Sequence, residues 1–333
     1  MRPPRLLALV ATLALAASAA SAPETAPPAA RVAKFSGDRA AALSYTFDDG
    51  LRDQYTLAAP MLDEVGFKGT FFVIPGRVSE TIEDAEKRKN DKRAWGTITW
   101  TELRDLAARG HEIGNHSWSH PGLAKLPLEA VEAELSRAAE AIAREIGRPP
   151  LTLAFPFNQS TPEIRELALR RHVAFRSCQF GVGGEKTTVE SLNDWADRQV
   201  RDRSWGVVMA HGIGQGYAAF TDPEILRTHL RHVKSREADL WVDTFANIAR
   251  YERERDTATL TIVSHRAGGM VCVLSGPLDP SLYDLPLTLV VEVPGSRSVR
   301  ATRSGRELPA RISANFVQID AAPSPEPITL VWQ

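Results

Sequence analysis

The sequence predicts an α/β protein in which parallel strands close into an irregular barrel, followed by a small antiparallel β-sandwich. Two observations predict this fold class. Short apolar runs alternate with amphipathic helical stretches over most of the chain, and repeated β-α units are typical of a parallel sheet. Beyond residue 255 the runs become β-branched, with no helical stretch between them, as in antiparallel sandwiches.

The elements of the barrel, over residues 37–254, follow from apolar runs of strand length and from helical periodicity. Residues 41–45 and 70–74 are apolar runs of strand length, and helical periodicity joins them over 52–66. The clearest amphipathic helix runs from Leu128 to Ile146, with one apolar stripe. Later predicted elements are a helix capped by Thr99 or Thr101, strands at 151–155, 173–177 and 207–210, a helix beginning at Thr161, a helix over 223–233, a strand at 240–242 and a helix through Tyr251.

The C-terminal part, residues 255–333, has the spacing of short antiparallel strands. Gly and Pro turns separate predicted strands at 257–263, 270–274, 287–293, 311–318 and 328–332. Nothing in this part concentrates aromatic side chains of the kind that line a sugar-binding surface. We therefore expect a structural accessory domain rather than a glycan-binding one.

The N-terminus has the layout of a secretory signal peptide over residues 1–22. Arg2 and Arg5 precede an apolar stretch from Leu6 to Ala17, and small residues continue through Ala22. Residues 23–36 are rich in Pro and Ala, which predicts a flexible leader. The mature protein is then expected to be secreted or periplasmic, with no stable membrane insertion after removal of the signal.

Composition excludes some partners and allows an enzyme of this size. A chain of 333 residues is long enough for one large α/β domain and a smaller one. With 40 basic and 41 acidic side chains and no basic cluster, it lacks the footprint of a nucleic-acid-binding protein. Cys178 and Cys272 fall in different predicted domains, and we expect two unpaired, buried thiols.

Two adjacent carboxylates end the first predicted barrel strand. The chain runs Thr46-Phe47-Asp48-Asp49-Gly50, and Gly50 allows a sharp turn directly after them. Consecutive strand residues point to opposite faces, but a bend at the strand end presents both carboxylates to one site. Two charges at the end of an apolar strand are costly unless a cation or a proton offsets them.

Three histidines, one of them at the end of a later predicted strand, complete a candidate site with the two carboxylates. His116 and His120 are four residues apart, so one turn places both imidazoles on the same side. Together with one carboxylate they form a common catalytic zinc set that leaves a position open for water. His211 follows the apolar run 207–210, and strand ends of a barrel meet at one rim, where α/β enzymes build their active sites.

These motifs resemble the polysaccharide deacetylase family, the carbohydrate esterases related to chitooligosaccharide and peptidoglycan deacetylases. Residues 46–50 match its first motif residue for residue, and residues 115–120 match its second. His211 takes the place of its last motif, and residues 154–157 resemble its third, with Ala154 where many members carry an arginine that contacts the base aspartate. Its fourth motif is matched loosely by Asp194-Trp195. The resemblance covers about residues 40–252 and implies a distorted, incomplete (β/α) barrel.

The resemblance also implies a catalytic site. Asp49, His116 and His120 would bind a divalent metal, most readily Zn²⁺ with Co²⁺ as an alternative. Asp48 would be the general base and His211 the general acid, while the Phe157 backbone N–H would hold the oxyanion. The expected reaction is N-deacetylation of N-acetylhexosamine units in an acetylated glycan. The alternatives are an O-acetyl esterase acting on a glycan such as xylan, and a non-catalytic glycan-binding relative.

The remaining histidines are expected at the surface: His111, His172, His229, His232 and His265.

Overall fold

A computed structural model describes residues 26–89 and 96–333 of the chain. The predicted signal peptide, residues 1–22, lies outside this range. Within the range, no helix combines the length and the apolar character needed to cross a membrane. Neither cysteine forms a disulfide; Cys272 is buried as expected, whereas Cys178 is exposed.

The chain alternates strands and helices up to residue 257 and continues with strands alone. The strands are β1 (Ala30–Val32), β2 (Ala41–Asp48), β3 (Thr70–Val73), β4 (Glu112–Asn115), β5 (Thr152–Ala154), β6 (Ala174–Arg176), β7 (Phe180–Gly181), β8 (Trp205–Ala210), β9 (Leu240–Val242), β10 (Thr259–Arg266), β11 (Gly269–Ser275), β12 (Leu287–Glu292), β13 (Val299–Arg303), β14 (Arg306–Leu308), β15 (Ala310–Ser313), β16 (Phe316–Ala321) and β17 (Ile328–Trp332). The helices are α1 (Ala59–Glu64), α2 (Ile82–Lys89), α3 (Trp100–Ala108), α4 (Leu128–Ile146), α5 (Pro162–Leu169), α6 (Val189–Asp202), α7 (Glu224–Ser235) and α8 (Phe245–Thr257).

The first sheet is parallel and curled, which confirms the predicted barrel in its coarse form. Its strand order is β6-β5-β4-β3-β2-β8-β7, with β9 beside the start of β2. Arg176 on the edge strand β6 reaches Thr46 on β2, although three strands lie between them. Four strand spacings in a flat sheet would amount to about 19 Å, so the sheet must curl. Helix α3 begins at Trp100, and the side chain of Thr99, one of the two predicted caps, accepts a hydrogen bond from the Glu102 N–H.

Strand β2 shows how the sequence directs side chains into this half-barrel. All eight of its residues are buried. Leu43, Tyr45 and Phe47 belong to the main apolar core that packs under the helices. Because side chains alternate along a strand, Thr46 and Asp48 point to the other face, into the interior of the curl, where Arg176 meets them.

Two antiparallel sheets form the C-terminal part, and their strands agree with the predicted all-β pattern. Their orders are β1-β12-β16-β15 and β10-β11-β17-β13-β14. Buried residues from both sheets, among them Cys272 and Leu289, share one apolar cluster. The predicted sandwich arrangement stays a prediction.

The segment before the barrel is not a free leader over its whole predicted length. Ala30–Val32 pair in an antiparallel register with Val291 to Leu289 of β12, and the Ala33 N–H donates to Thr288 O at 2.8 Å. The flexible leader predicted for residues 23–36 is therefore wrong from Ala30 onward. Composition alone missed this strand because its partner is distant in sequence.

Candidate metal centre and active-site cleft

The predicted site residues line one cleft of about 600 Å³ at the carboxyl ends of the parallel strands. Asp48 is the last residue of β2, His116 directly follows β4, and His211 directly follows β8. The register pairs Phe47 with Ala210, so that Asp48 and His211 leave adjacent strands at the same level. The cleft residues predicted from sequence are Asp48, Asp49, His116, His120, Phe157 and His211.

Asp49, His116 and His120 form a compact cluster with metal-ligating atoms facing each other. Asp49 Oδ1 lies 3.6 Å from His116 Nε2 and 3.5 Å from His120 Nε2. One potential ligand atom from each residue falls within 4.8 Å of the others. Asp49 Oδ1 is buried and has no hydrogen-bond partner among the described residues. A buried carboxylate oxygen in this state is costly unless a cation satisfies it, so the donor set fits a divalent metal.

The backbone around the histidines fixes their orientation. His116 Nδ1 lies 2.7 Å from Ala154 O, so the ring nitrogen that faces Asp49 is Nε2, as is usual for metal-ligating histidines. Ser117 Oγ accepts a hydrogen bond from the His120 N–H at 3.0 Å. Asn115 Oδ1 accepts from the Ser117 N–H at 2.9 Å. These bonds hold the turn that brings the second imidazole back over the first.

Two of the three cluster residues have left-handed backbone conformations. Asp49 has φ 72° and His120 has φ 63°, values that are uncommon for residues other than glycine and that concentrate at functional sites. On a straight strand, two consecutive aspartates would point to opposite faces of the sheet. The turn at Asp49 changes the direction of the second one. It directs Asp49 to the cluster, whereas Asp48, still on the strand, points into the barrel interior.

His120 is suited to act as a neutral ligand. Burial, with His116 beside it, lowers the pKa of the His120 imidazole well below its ordinary value of 6.5. The ring is therefore uncharged at neutral pH, with a lone pair available for a metal. The Phe157 ring packs edge-on against it with centroids 4.6 Å apart.

Asp48 is paired with an arginine that the sequence motifs did not assign to the site. Arg176 Nη1 and Nη2 donate to Asp48 Oδ1 and Oδ2 at 2.7 and 2.5 Å, and Nη1 also donates to Thr46 Oγ1 at 2.7 Å. Burial raises the pKa of the Asp48 carboxyl, but Arg176 and His116 together outweigh burial and lower it from 3.8 to about 2. Asp48 is therefore a carboxylate throughout the physiological range.

Arg176 makes a contact with Asp48 that the side chain of Ala154, in the third motif, cannot make. Ala154 ends β5, and Arg176 ends the neighbouring strand β6, in register with it. The available signal was a single arginine inside the predicted apolar strand 173–177. A charged side chain in such a run is rarely buried without a partner, and the partner here is Asp48.

The aromatic rings at the mouth of the cleft are largely exposed. Phe157 is 60% exposed and Tyr217 is 58% exposed. The Tyr217 ring meets His211 edge-on, with centroids 5.1 Å apart. Phe157 also has a left-handed φ of 57°, which turns the chain outward after β5. The Asp194-Trp195 pair lies elsewhere: it is on α6, where Trp195 is buried and stacks on Phe180.

Three histidines predicted at the surface are buried, and that part of the prediction is wrong. His111 and His229 are 0% exposed and His172 is 4% exposed. Each ring has polar contacts that make burial tolerable: His229, for example, lies 2.8 Å from both Tyr45 Oη and Asn193 Oδ1. His232 and His265 are partly exposed. Such partners come from distant segments, which a local sequence pattern does not reveal.

Comparison with known proteins gives a family match to the N-terminal part of the barrel. Residues 37–173 match the family model described as polysaccharide deacetylase. A peptidoglycan-N-acetylglucosamine deacetylase of Bacillus cereus is 30% identical over 36% of this chain and 37% of its own length. Chitin deacetylase 1 of Cryptococcus neoformans is 28% identical over 45% of this chain and 28% of its own length.

A third relative covers more of the chain. A gellan lyase of a Bacillus species is 23% identical over 91% of this chain, but over only 13% of its own length. The chain thus spans well under two thirds of each of these relatives.

Proposed function

We propose that this chain is a metal-dependent hydrolase that removes acetyl groups from a glycan, because residues 37–173 match the model of the polysaccharide deacetylase family. The substrates that we propose are N-acetylhexosamine units. The observation that carries the proposal is the Asp49, His116 and His120 cluster, which lies in one cleft with Asp48 and His211. The relatives named as peptidoglycan and chitin deacetylases support the same class of substrate. The predicted signal peptide supports action outside the cytoplasm.

The proposed metal ligands are Asp49 Oδ1, His116 Nε2 and His120 Nε2. When bound there, a divalent cation such as Zn²⁺ or Co²⁺ would supply Lewis acidity for the hydrolysis of an acyl group. His116 and His120 would each contribute an imidazole nitrogen and Asp49 a carboxylate oxygen.

Asp48 is the proposed general base. It lies beside the cluster, with His116 Nε2 4.0 Å from its Oδ2, and is ionised at neutral pH. The bidentate contact with Arg176 holds the carboxylate in one orientation. Its low pKa means that it accepts a proton only from a strongly acidified donor, which a metal site provides.

His211 is the proposed general acid and the Phe157 backbone N–H the proposed oxyanion donor. An amine leaving group needs a proton as its bond to the acyl carbon breaks. His211 is partly exposed at the rim of the cleft, where it can deliver that proton to the departing nitrogen. The N–H of Phe157, on the turn after β5, would donate to the oxygen that gains charge.

The test is acetate release by the zinc-loaded protein from N-acetylated glucosamine oligosaccharides and from acetylated xylan. We expect release from the N-acetylated substrate, with little from the ester. Preferential release from xylan would identify an O-acetyl esterase with the same metal site. Binding of either glycan without acetate release, at full metal occupancy, would overturn the proposed hydrolase and favour a glycan-binding protein.

A further inference from the structure

Two residues just beyond the Asp48-Asp49 motif make unusual contacts with the segment that carries His211. Gln54 is 0% exposed. Its side-chain Nε2 donates to two backbone oxygens, Asp48 O at 2.6 Å and His211 O at 2.9 Å. One amide group thus joins the backbone of the proposed base to the backbone of the proposed acid.

The preceding residue holds the next part of the same loop. Asp53 is 3% exposed. Its Oδ2 accepts hydrogen bonds from the N–H groups of Ile213, Gly214 and Gln215 at 2.7, 2.9 and 3.0 Å. Three consecutive N–H groups converging on one oxygen form a concave anion site, here filled by the protein's own carboxylate.

The loop that these residues hold is tightly wound and forms one wall of the cleft. The Gly212 N–H donates to Tyr217 O at 3.0 Å, and a Cβ at Gly212 would lie 2.0 Å from Gln215 O. Tyr217 and Ala218 line the cleft. Gln54 itself begins a π-helical segment, Gln54–Ala58, an irregularity that occurs frequently at functional sites.

Each residue of the pair also has one acceptor atom that the loop does not satisfy. Asp53 Oδ1 and Gln54 Oε1 are buried and have no hydrogen-bond partner among the described residues, and unsatisfied buried acceptors are unfavourable. The same two side chains also satisfy backbone groups of the loop, since Asp53 accepts from three consecutive N–H groups and Gln54 donates to two carbonyl oxygens. Departures of this kind from the rules of stable packing are expected where function requires them.

We propose that Asp53 and Gln54 are a positioning pair that fixes His211 relative to Asp48, so that the acid and the base act on the same substrate bond. The pair acts through backbone hydrogen bonds and touches no reacting atom. The inference rests on the function proposed above. We therefore expect a variant that lacks the hydrogen bonds of this pair to show the same catalytic defect as a variant that lacks His211, and few other defects.

The variant that tests it is Gln54→Met, which keeps length and burial but removes the donor. With the zinc-loaded protein, we expect kcat on an N-acetylated oligosaccharide to fall about 10- to 100-fold, since small misplacements of catalytic groups cost rates of this size. KM, zinc content and hydrolysis of an aryl acetate, whose leaving group needs no proton, should change little. Asp53→Asn should give a smaller loss of the same kind.

A matched control and a double variant separate positioning from general damage. Gln199 also donates its side-chain amide to a backbone oxygen, Trp195 O at 3.1 Å, but it lies outside the cleft, so Gln199→Met should leave both activities unchanged. In a His211→Ala background, Gln54→Met should add almost nothing. Equal losses on both substrates, or a full additional loss in that background, would overturn the inference.

A measurement without turnover distinguishes failure of this inference from failure of the proposed function. Hydrogen–deuterium exchange of the metal-free protein should show faster exchange at residues 212–217 in Gln54→Met and Asp53→Asn than in wild type or Gln199→Met. Unchanged exchange there would overturn the positioning pair. A wild type inactive on all substrates would overturn the proposed hydrolase, and exchange would still decide whether the pair holds the loop.

Discussion

At the scale of single residues, the central feature is a buried ion pair beside a metal-ligating cluster. Asp48 and Arg176 have side chains that are 4% and 0% exposed, and two hydrogen bonds join them. Removing one partner from a buried pair leaves a charge without compensation, which costs far more than the pair itself contributes. Arg176 therefore has two expected effects: it keeps Asp48 ionised and oriented, and it makes burial of Asp48 possible.

We predict that Arg176→Met destabilises the metal-free protein by about 3–5 kcal/mol, the usual cost of breaking a buried ion pair. The double variant Asp48→Leu with Arg176→Met should recover most of this loss. Urea denaturation measures both. A loss below about 1 kcal/mol in the single variant would show that water or another group compensates Asp48.

The same pair sets a pH dependence whose sign follows from the lowered pKa. Because the folded-state pKa of Asp48 is about 2, below its ordinary 3.8, its contribution to stability is present above pH 3.8 and is lost as the pH falls toward 2. The free energy of unfolding of the variant with both Asp48→Leu and Arg176→Met should therefore fall less steeply than that of wild type as the pH decreases from 3.8 to about 2.

At the scale of elements, local patterns predicted well wherever an element depends on its own sequence. Helix α4 begins at Leu128 and ends at Ile146 as predicted, because its apolar stripe is regular and Gly147 takes the left-handed conformation that ends it. The three strand ends that carry Asp48, His116 and His211 also meet in one cleft, as the barrel pattern indicated.

Local patterns missed features that depend on pairing between distant segments. Arg176 joins the site only because the sheet curls until β6 faces β2. The bonds from Asp53 and Gln54 to the loop after β8 span most of the barrel sequence. The local composition of strand β1 predicts a flexible leader, whereas its partner β12 lies near the other end of the chain. No short-range periodicity encodes such contacts.

At the scale of the whole molecule, the segment before the barrel joins the barrel to the C-terminal sheets. Strand β1 extends the sheet of β12, and Tyr251 of the last barrel helix donates its hydroxyl hydrogen to Ala33 O at 3.0 Å. Phe35, which follows, is buried against Ala42 and Ile248 in the barrel. One short segment thus contacts both parts of the protein.

We predict that a chain beginning at Phe35 is less stable than a matched chain beginning at Ala26. Losing the β1 pairing and the Tyr251 bond removes several hydrogen bonds of about 1 kcal/mol each, so a total of about 2 kcal/mol or more is expected. Thermal unfolding and hydrogen exchange of β12 report this loss. Equal stability and equal exchange of β12 would show that the segment contributes nothing to the junction.

The measurement that most directly tests the proposed site is metal content and acetate release, determined together for wild type, Asp48→Asn and Asp49→Asn. We predict that Asp48→Asn retains wild-type zinc but loses about 10²- to 10⁴-fold in turnover, as expected for a missing general base. Asp49→Asn should lose both zinc and activity, and added zinc should restore a chelated wild type. Full activity of the metal-free wild type, or an empty site in Asp48→Asn beside a loaded one in Asp49→Asn, would contradict the assignment of ligand and base.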